Sequence, residues 1–253
     1  MGRNCKVIAT YFGPRRYFPR GIEDTINLIK EVVENEINLD PGVDLDVIIV
    51  NHDFENPQVT DFLNSINGIK INRGNLIVLN RPWETGTGMS YASYDYAFKK
   101  YKADYDYWFF TEDDVITILP DYYNIAKNQL LSSGNNSFIG CHRCVLEHGV
   151  PVHAHSGCGL TTKELLEKAT YRNNGSLPHS KLPMPIEVSD YVKSMDRDRF
   201  LESSLLGEWY RSAEIEGEIA FTNIYDQMGF SINNIETDNH VVKVYQQDIP
   251  YYL

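Results

Sequence analysis

The chain has 253 residues, 42% of them hydrophobic and 12% aromatic, which suits one large α/β domain with a substantial core. Its 23 basic residues face 35 acidic ones, a formal net charge of -12, so the average surface repels nucleic acid and anionic membranes. No stretch has the apolar length of a membrane span, and Met1-Gly2-Arg3-Asn4-Cys5-Lys6 lacks the apolar centre of a secretory leader, so the expectation is a cytoplasmic protein with no integral membrane segment and no nucleic-acid partner.

In chain order, the β-branched run from Lys6 to Thr10 predicts a first strand, ending at Tyr11-Phe12-Gly13-Pro14. Ile26, Ile29, Val33 and Ile37 recur at helical spacing, with Asp24 as the cap and Asp40-Pro41-Gly42 as the stop. Val47-Ile48-Ile49-Val50 is a continuous apolar strand of the kind a parallel sheet covered on both faces requires. Asn56-Pro57 opens a second helix carrying Val59, Phe62, Leu63 and Ile66, and Leu76 to Leu79 is a third strand. A glycine-bearing loop from Asn80 to Gly88 then leads into a helix with Met89, Ala92, Tyr96 and Ala97 or Lys100 on one side.

Tyr107 to Thr111 reads as a fourth strand feeding directly into Glu112-Asp113-Asp114. Extended alternation would turn Glu112 and Asp114 to one side and Asp113 to the other, a two-carboxylate pincer suited to a hard divalent cation such as Mg²⁺ or Mn²⁺. The competing reading is a solvated acidic turn. In open α/β sheets ligand sites gather at the carboxyl ends of strands, so Thr10, Asn51, the loop from Asn80 and the triplet are expected to share one crevice.

Further on come a helix over Pro120 to Leu131, a strand near Phe138 to Cys141, and a helix opened by Thr161-Thr162-Lys163-Glu164. Tyr171 to Tyr191 reads as a long loop or lid, followed by separate helices over Arg199 to Ala213 and Ile219 to Met228, and a late strand at Val241 to Tyr245. The four cysteines, at 5, 141, 144 and 158, do not form a secreted disulfide framework. Cys141, Cys144 and Cys158, with His142, His148, His153 and His155, leave two readings open: a structural zinc, or ordinary buried thiols beside pocket-lining histidines.

The order of these parts over residues 6 to 232 resembles the inverting, nucleotide-sugar-dependent glycosyltransferases of the GT-A fold, a mostly parallel sheet flanked by helices. The resemblance rests on Ala9-Thr10-Tyr11, Gly88-Met89-Ser90-Tyr91-Ala92, Glu112-Asp113-Asp114 as the form of an Asp-x-Asp motif, Gly157-Cys158-Gly159, and Glu216-Gly217-Glu218 running to Gly229. It implies a single glycosyltransferase domain, residues 1 to 118 binding a nucleotide-diphosphate sugar and residues 119 to 253 binding a glycan or other hydroxyl acceptor. The implied donor contacts are Thr10, Tyr11, Asn51, Asp53, Arg81, Gly88, Ser90, Glu112 and Asp113; Asn51 stands where the family has an acidic residue, and Asp53 substitutes for it. Asp114, with Glu112 and His240, is implied to hold Mn²⁺ or Mg²⁺; Gly157, Cys158 and Gly159 line the acceptor side; Glu218 is the implied base and Glu216 its reserve. Two other functions remain open: a sugar-phosphate nucleotidyltransferase, for which Phe12-Gly13-Pro14-Arg15 is a poor phosphate loop, and a non-catalytic carbohydrate- or nucleotide-binding module.

Overall fold

The computed structural model describes residues 2–10, 22–52, 57–82, 88–141, 144–145, 151–181 and 204–244. An eight-stranded sheet forms the centre. In spatial order it runs Ser231–Asn234 (β11), Ser137–Gly140 (β7), Gly159–Thr162 (β10), Tyr107–Glu112 (β5), Asn4–Thr10 (β1), Leu45–His52 (β2), Gly74–Arg81 (β4) and Lys70–Ile71 (β3). β1 pairs in parallel with β2 and β5, β2 with β4, and β7 with β11; only β10 and the edge strand β3 run antiparallel. This is the mostly parallel, helix-flanked α/β sheet the strand pattern predicts.

Helices cover both faces. Ile22–Asn38 (α1), Pro57–Ile66 (α2) and Tyr122–Ser132 (α4) pack one core with Ile8, Val47, Ile49 and Phe109. Met89–Tyr101 (α3), Lys163–Arg172 (α5) and Ser204–Gln227 (α6) pack the other with Val7, Ile48, Trp108 and Phe110. Alternate residues of each central strand therefore serve opposite cores, which is why these strands read as unbroken apolar runs. Short strands add two ribbons, Val115–Thr117 (β6) with Val242–Val244 (β12), and Cys144–Val145 (β8) with His153–Ala154 (β9). Among the described residues no helix is long and apolar enough to cross a membrane.

Several expectations are corrected. Asp24 lies inside α1, which begins at Ile22, so it is not the cap. Ile37 is exposed, and Leu28 and Val32 join Ile26, Ile29 and Val33 inside. α3 buries Tyr91, Tyr94, Ala97 and Phe98 rather than the Ala92 and Tyr96 side. The two late helices are one continuous α6, closed by Gly229 at φ 82°, with Gly229 N–H bonded to Asp226 O and Phe230 N–H to Tyr225 O, the double bond of a Schellman cap. The pattern at Thr161-Thr162 also conceals a strand: β10 ends at Thr162, whose hydroxyl then caps α5 by accepting from Leu165 N–H at 3.2 Å.

The described part of the supposed lid, up to Lys181, is fastened down. Tyr171 and Arg172 end α5, Leu177 is buried with its N–H on Asp95 Oδ1 at 2.7 Å, and Ser180 is buried against α6. Its remainder, 182 to 191, lies outside the described residues.

Candidate active site at the carboxyl ends of the strands

The parallel strands end side by side. Thr10 registers with Asn51, Asn51 with Asn80, His52 with Arg81, and Ala9 with Glu112, so the first-half residues singled out in the sequence share one sheet edge. Thr10, Asn51 and Arg81 are all buried. Asn51 donates from Nδ2 to Asn80 Oδ1 at 3.1 Å, while its own Oδ1, Thr10 Oγ1 and Thr111 Oγ1 are buried without a hydrogen-bond partner. Such atoms are costly to bury, and in folded proteins they mark places where a ligand or water completes the bonding. Tyr11 and Asp53 lie outside the described residues.

The acidic triplet is not a solvated turn: Glu112 is 9% exposed, Asp113 0%, and only Asp114 is half-buried. The strand-alternation argument fails here, however, because β5 stops at Glu112 and Asp113-Asp114 form the turn into β6, so their side chains follow turn geometry. Asp113 N–H donates to Ala9 O at 3.0 Å, tying that turn to the end of β1.

The donor set of Glu112 and Asp114 is hard carboxylate oxygen, fitting Mg²⁺ or Mn²⁺, which commonly take one or two carboxylates and complete their shell with water and phosphate. The third ligand read from the sequence is not brought to them. β12 runs antiparallel to β6 with Val244 opposite Val115, and Ile118 N–H donates to Val241 O, so His240 lies beyond the opposite end of the ribbon from Asp114. Among the described residues no three His, Cys, Asp or Glu side chains gather as a metal site, which holds equally for the zinc reading; His142 and His148 are outside them.

The second half reaches the same region through Tyr91, a residue of the motif at 88–92 assigned no role of its own from the sequence. Its ring is 1% exposed and lies 5.6 Å from Phe221 and 5.8 Å from Tyr94. A Cβ on Gly217 would stand 2.5 Å from this ring, and one on Gly157 would stand 2.9 Å from it. Gly88, left-handed at φ 59°, presses as closely on His179 and the Ser180 carbonyl. Gly159 leaves room for the backbone of β7, where a Cβ would meet Ile139 O at 2.3 Å. These glycines are thus explained by close approach.

Glu218 and Glu216 flank that contact on α6. Glu218 Oε1 accepts from Ser156 N–H at 2.7 Å, with His155 Nδ1 at 3.8 Å and His153 Nε2 at 4.0 Å. Ser156 is itself left-handed at φ 54°, a cost for a non-glycine residue that the carboxylate contact helps to offset. Glu216 is exposed and accepts from Ser180 Oγ at 2.7 Å.

Tyr94 stands between the acidic turn and α6. Its ring is clamped by Phe110 at 4.8 Å and Phe221 at 5.2 Å, and its hydroxyl is buried without a hydrogen-bond partner. Burial pushes the phenol well above its usual ionisation range, reinforced by nearby Cys158, Glu112, Cys141 and Asp114. The i, i+3 spacing of Tyr91 and Tyr94 is the signal that could have revealed this stripe.

No family model and no curated protein matches the sequence. Among solved structures, the chain is similar to a 4-diphosphocytidyl-2C-methyl-D-erythritol synthase from Anaerococcus prevotii, at 12% identity and a TM-score of 0.38, over 85% of this chain and 98% of that one.

Proposed function

We propose that this protein is a metal-assisted, inverting glycosyltransferase that moves a sugar from a nucleoside diphosphate donor to an acceptor hydroxyl. The observation that carries this reading is the meeting of Tyr91 from the first half with Gly157 and Gly217 from the second, with Gly88 against His179 and Ser180, Glu218 on Ser156 and Glu216 on Ser180.

In this reading residues 1 to 118 bind the donor and residues 119 to 253 the acceptor. Thr10 and Asn51 face the base, with Tyr11 and Asp53 following them in the chain; Arg81, Gly88 and Ser90 serve the diphosphate and sugar, and Asp113, fully buried, supports that side from behind the turn. Asp114 and Glu112 hold the divalent cation, which supplies charge neutralisation to the departing diphosphate. Gly157, Cys158 and Gly159 border the acceptor. Glu218 takes the acceptor proton: Oε1 is held by Ser156 N–H, which fixes the carboxylate and leaves Oε2 to accept. Glu216, engaged with Ser180 and exposed, is the reserve. A cytoplasmic location agrees with this use of nucleotide donors.

The test is incubation of the purified protein with a panel of UDP-, GDP-, CDP- and dTDP-sugars, with Mn²⁺ or EDTA, read for nucleoside diphosphate release. Slow metal-dependent release from one donor is expected even without acceptor. Pyrophosphate release from a nucleoside triphosphate and a sugar phosphate would overturn it in favour of a nucleotidyltransferase, and binding without turnover in favour of a non-catalytic module.

A further inference from the structure

Sequence spacing draws the eye to Cys141-His142-Arg143-Cys144 as the cysteine pair of the chain. The backbone selects a different partner. Ile139 registers with Leu160 and Gly140 with Gly159, so the next step of the antiparallel pairing sets Cys141 opposite Cys158, and Cys141 N–H donates to Cys158 O at 3.1 Å. Cys144 instead belongs to the β8–β9 ribbon, opposite Ala154.

A fully hydrogen-bonded antiparallel pair has Cα atoms about 5.5 Å apart, inside the range that disulfides span; Cys141 and Cys158 keep one of its two bonds, the Cys158 N–H turning to His155 O. Cross-strand neighbours also share a face, and Cys141 and Cys158 enter the same core as Ile139 and Leu160. The Cys158 thiol lies close enough to Cys141 for the neighbouring thiol to disfavour its ionisation, and Cys158 Sγ donates to Ser156 O at 3.6 Å. Cys5 lies in the opposite core, its thiol on Tyr107 O at 3.6 Å.

We infer that Cys141 and Cys158 are a modification site, a cross-strand thiol pair that closes to a disulfide under a two-electron oxidant such as hydrogen peroxide. Cys141, 8% exposed against 0% for Cys158, is the less deeply buried residue of the pair and the one assigned first contact with the oxidant. Its thiolate attacks a peroxide oxygen and breaks the O–O bond, giving a sulfenic acid and one water. The Cys158 sulfur then displaces the sulfenic hydroxyl as a second water, so two thiols lose two hydrogens and one peroxide becomes two waters. The neighbouring Cys141 thiol and burial push Cys158 well above the ordinary thiol range.

The bond would staple the turn that Glu218 clamps to the end of β7. The thiol pairing itself stands independently of the catalytic reading.

The experiment equilibrates the full chain in glutathione redox buffers, through unfolding and refolding so that burial cannot block exchange, and maps non-reduced peptides by mass spectrometry. A Cys141–Cys158 cross-link that grows with oxidising potential, is reversed by dithiothreitol and persists in Cys144→Ser is expected. In native Cys158→Ser, peroxide should leave Cys141 as a sulfenic acid trapped by dimedone. A Cys141–Cys144 link in its place, or free Cys141 and Cys158 thiols at equilibrium in the most oxidising buffer, overturns the inference.

Discussion

Gly217→Ala sets two known effects against each other. Within a helix the exchange ordinarily stabilises by up to about 1 kcal/mol, because alanine loses less backbone entropy on folding. Here the added Cβ would lie 2.5 Å from Tyr91 Cδ2 and 3.0 Å from Cε2. The ring has no room to retreat, since Phe221, Tyr94 and Gly157 hold its other sides. Overpacking a well-filled core costs about 1–3 kcal/mol, and with the 2.5 Å approach near the upper end of that range the net loss after the offset is expected to be about 2 kcal/mol. Urea unfolding of both proteins, followed by circular dichroism, measures it. The cause is checked in a Tyr91→Leu background, where the same exchange should be neutral or stabilising, giving a coupling of at least about 1 kcal/mol. An unchanged or higher stability for Gly217→Ala with Tyr91 present would refute the claimed contact.

Asp114→Asn should abolish metal-dependent nucleoside diphosphate binding by calorimetry, with Glu112→Gln milder, because a neutral amide is the weaker ligand for a hard cation. Glu218→Gln can still accept from Ser156 N–H, so it should keep its melting temperature and nucleotide affinity while turnover falls by roughly 10²-fold or more; an active variant would place the base elsewhere. Lys6→Met strands the Glu36 carboxylate, 5% exposed, from its ion-pair partner and should cost about 3–5 kcal/mol in urea unfolding near pH 7, whereas Lys6→Met with Glu36→Leu should recover much of the loss. The Arg73 guanidinium hydrogen-bonds Asp40 and holds its carboxyl below the ordinary value, so Asp40 contributes stability above the unfolded carboxylate range and loses it as pH falls through the lowered folded value. NMR titration should show the Asp40 midpoint rise in Arg73→Ala.

The parallel centre of the sheet was legible because β1, β2, β4 and β5 are buried on both faces and therefore read as continuous apolar runs. Pro57 marked the start of α2 for an equally local reason. β10 was missed because it is only four residues long and its last residue doubles as a helix cap. β11, Ser-Ile-Asn-Asn, is a largely exposed edge strand and carries no apolar signal; its place comes from pairing with β7. α6 read as two helices because Glu214, Glu216, Gly217 and Glu218 look like a break and a fresh start. The close seat of Gly217 on Tyr91 is tertiary and has no local signature. The same holds for His240: its sequence position suggested a ligand, and only the β6–β12 register shows where it lies relative to Asp114.

Thr10, Asn51 and Thr111 at the strand ends, with Ser93 and Tyr94 on α3, each bury a polar atom without a hydrogen-bond partner. Each such atom costs about 1–3 kcal/mol, and packing alone does not explain keeping several near one sheet edge. Two of these residues, Thr10 and Asn51, were singled out from the sequence on separate grounds. Tyr94 has its ring fixed by Phe110 and Phe221, so its hydroxyl cannot swing away to find a partner. A water or a ligand that hydrogen-bonds these atoms would recover the stability forgone there.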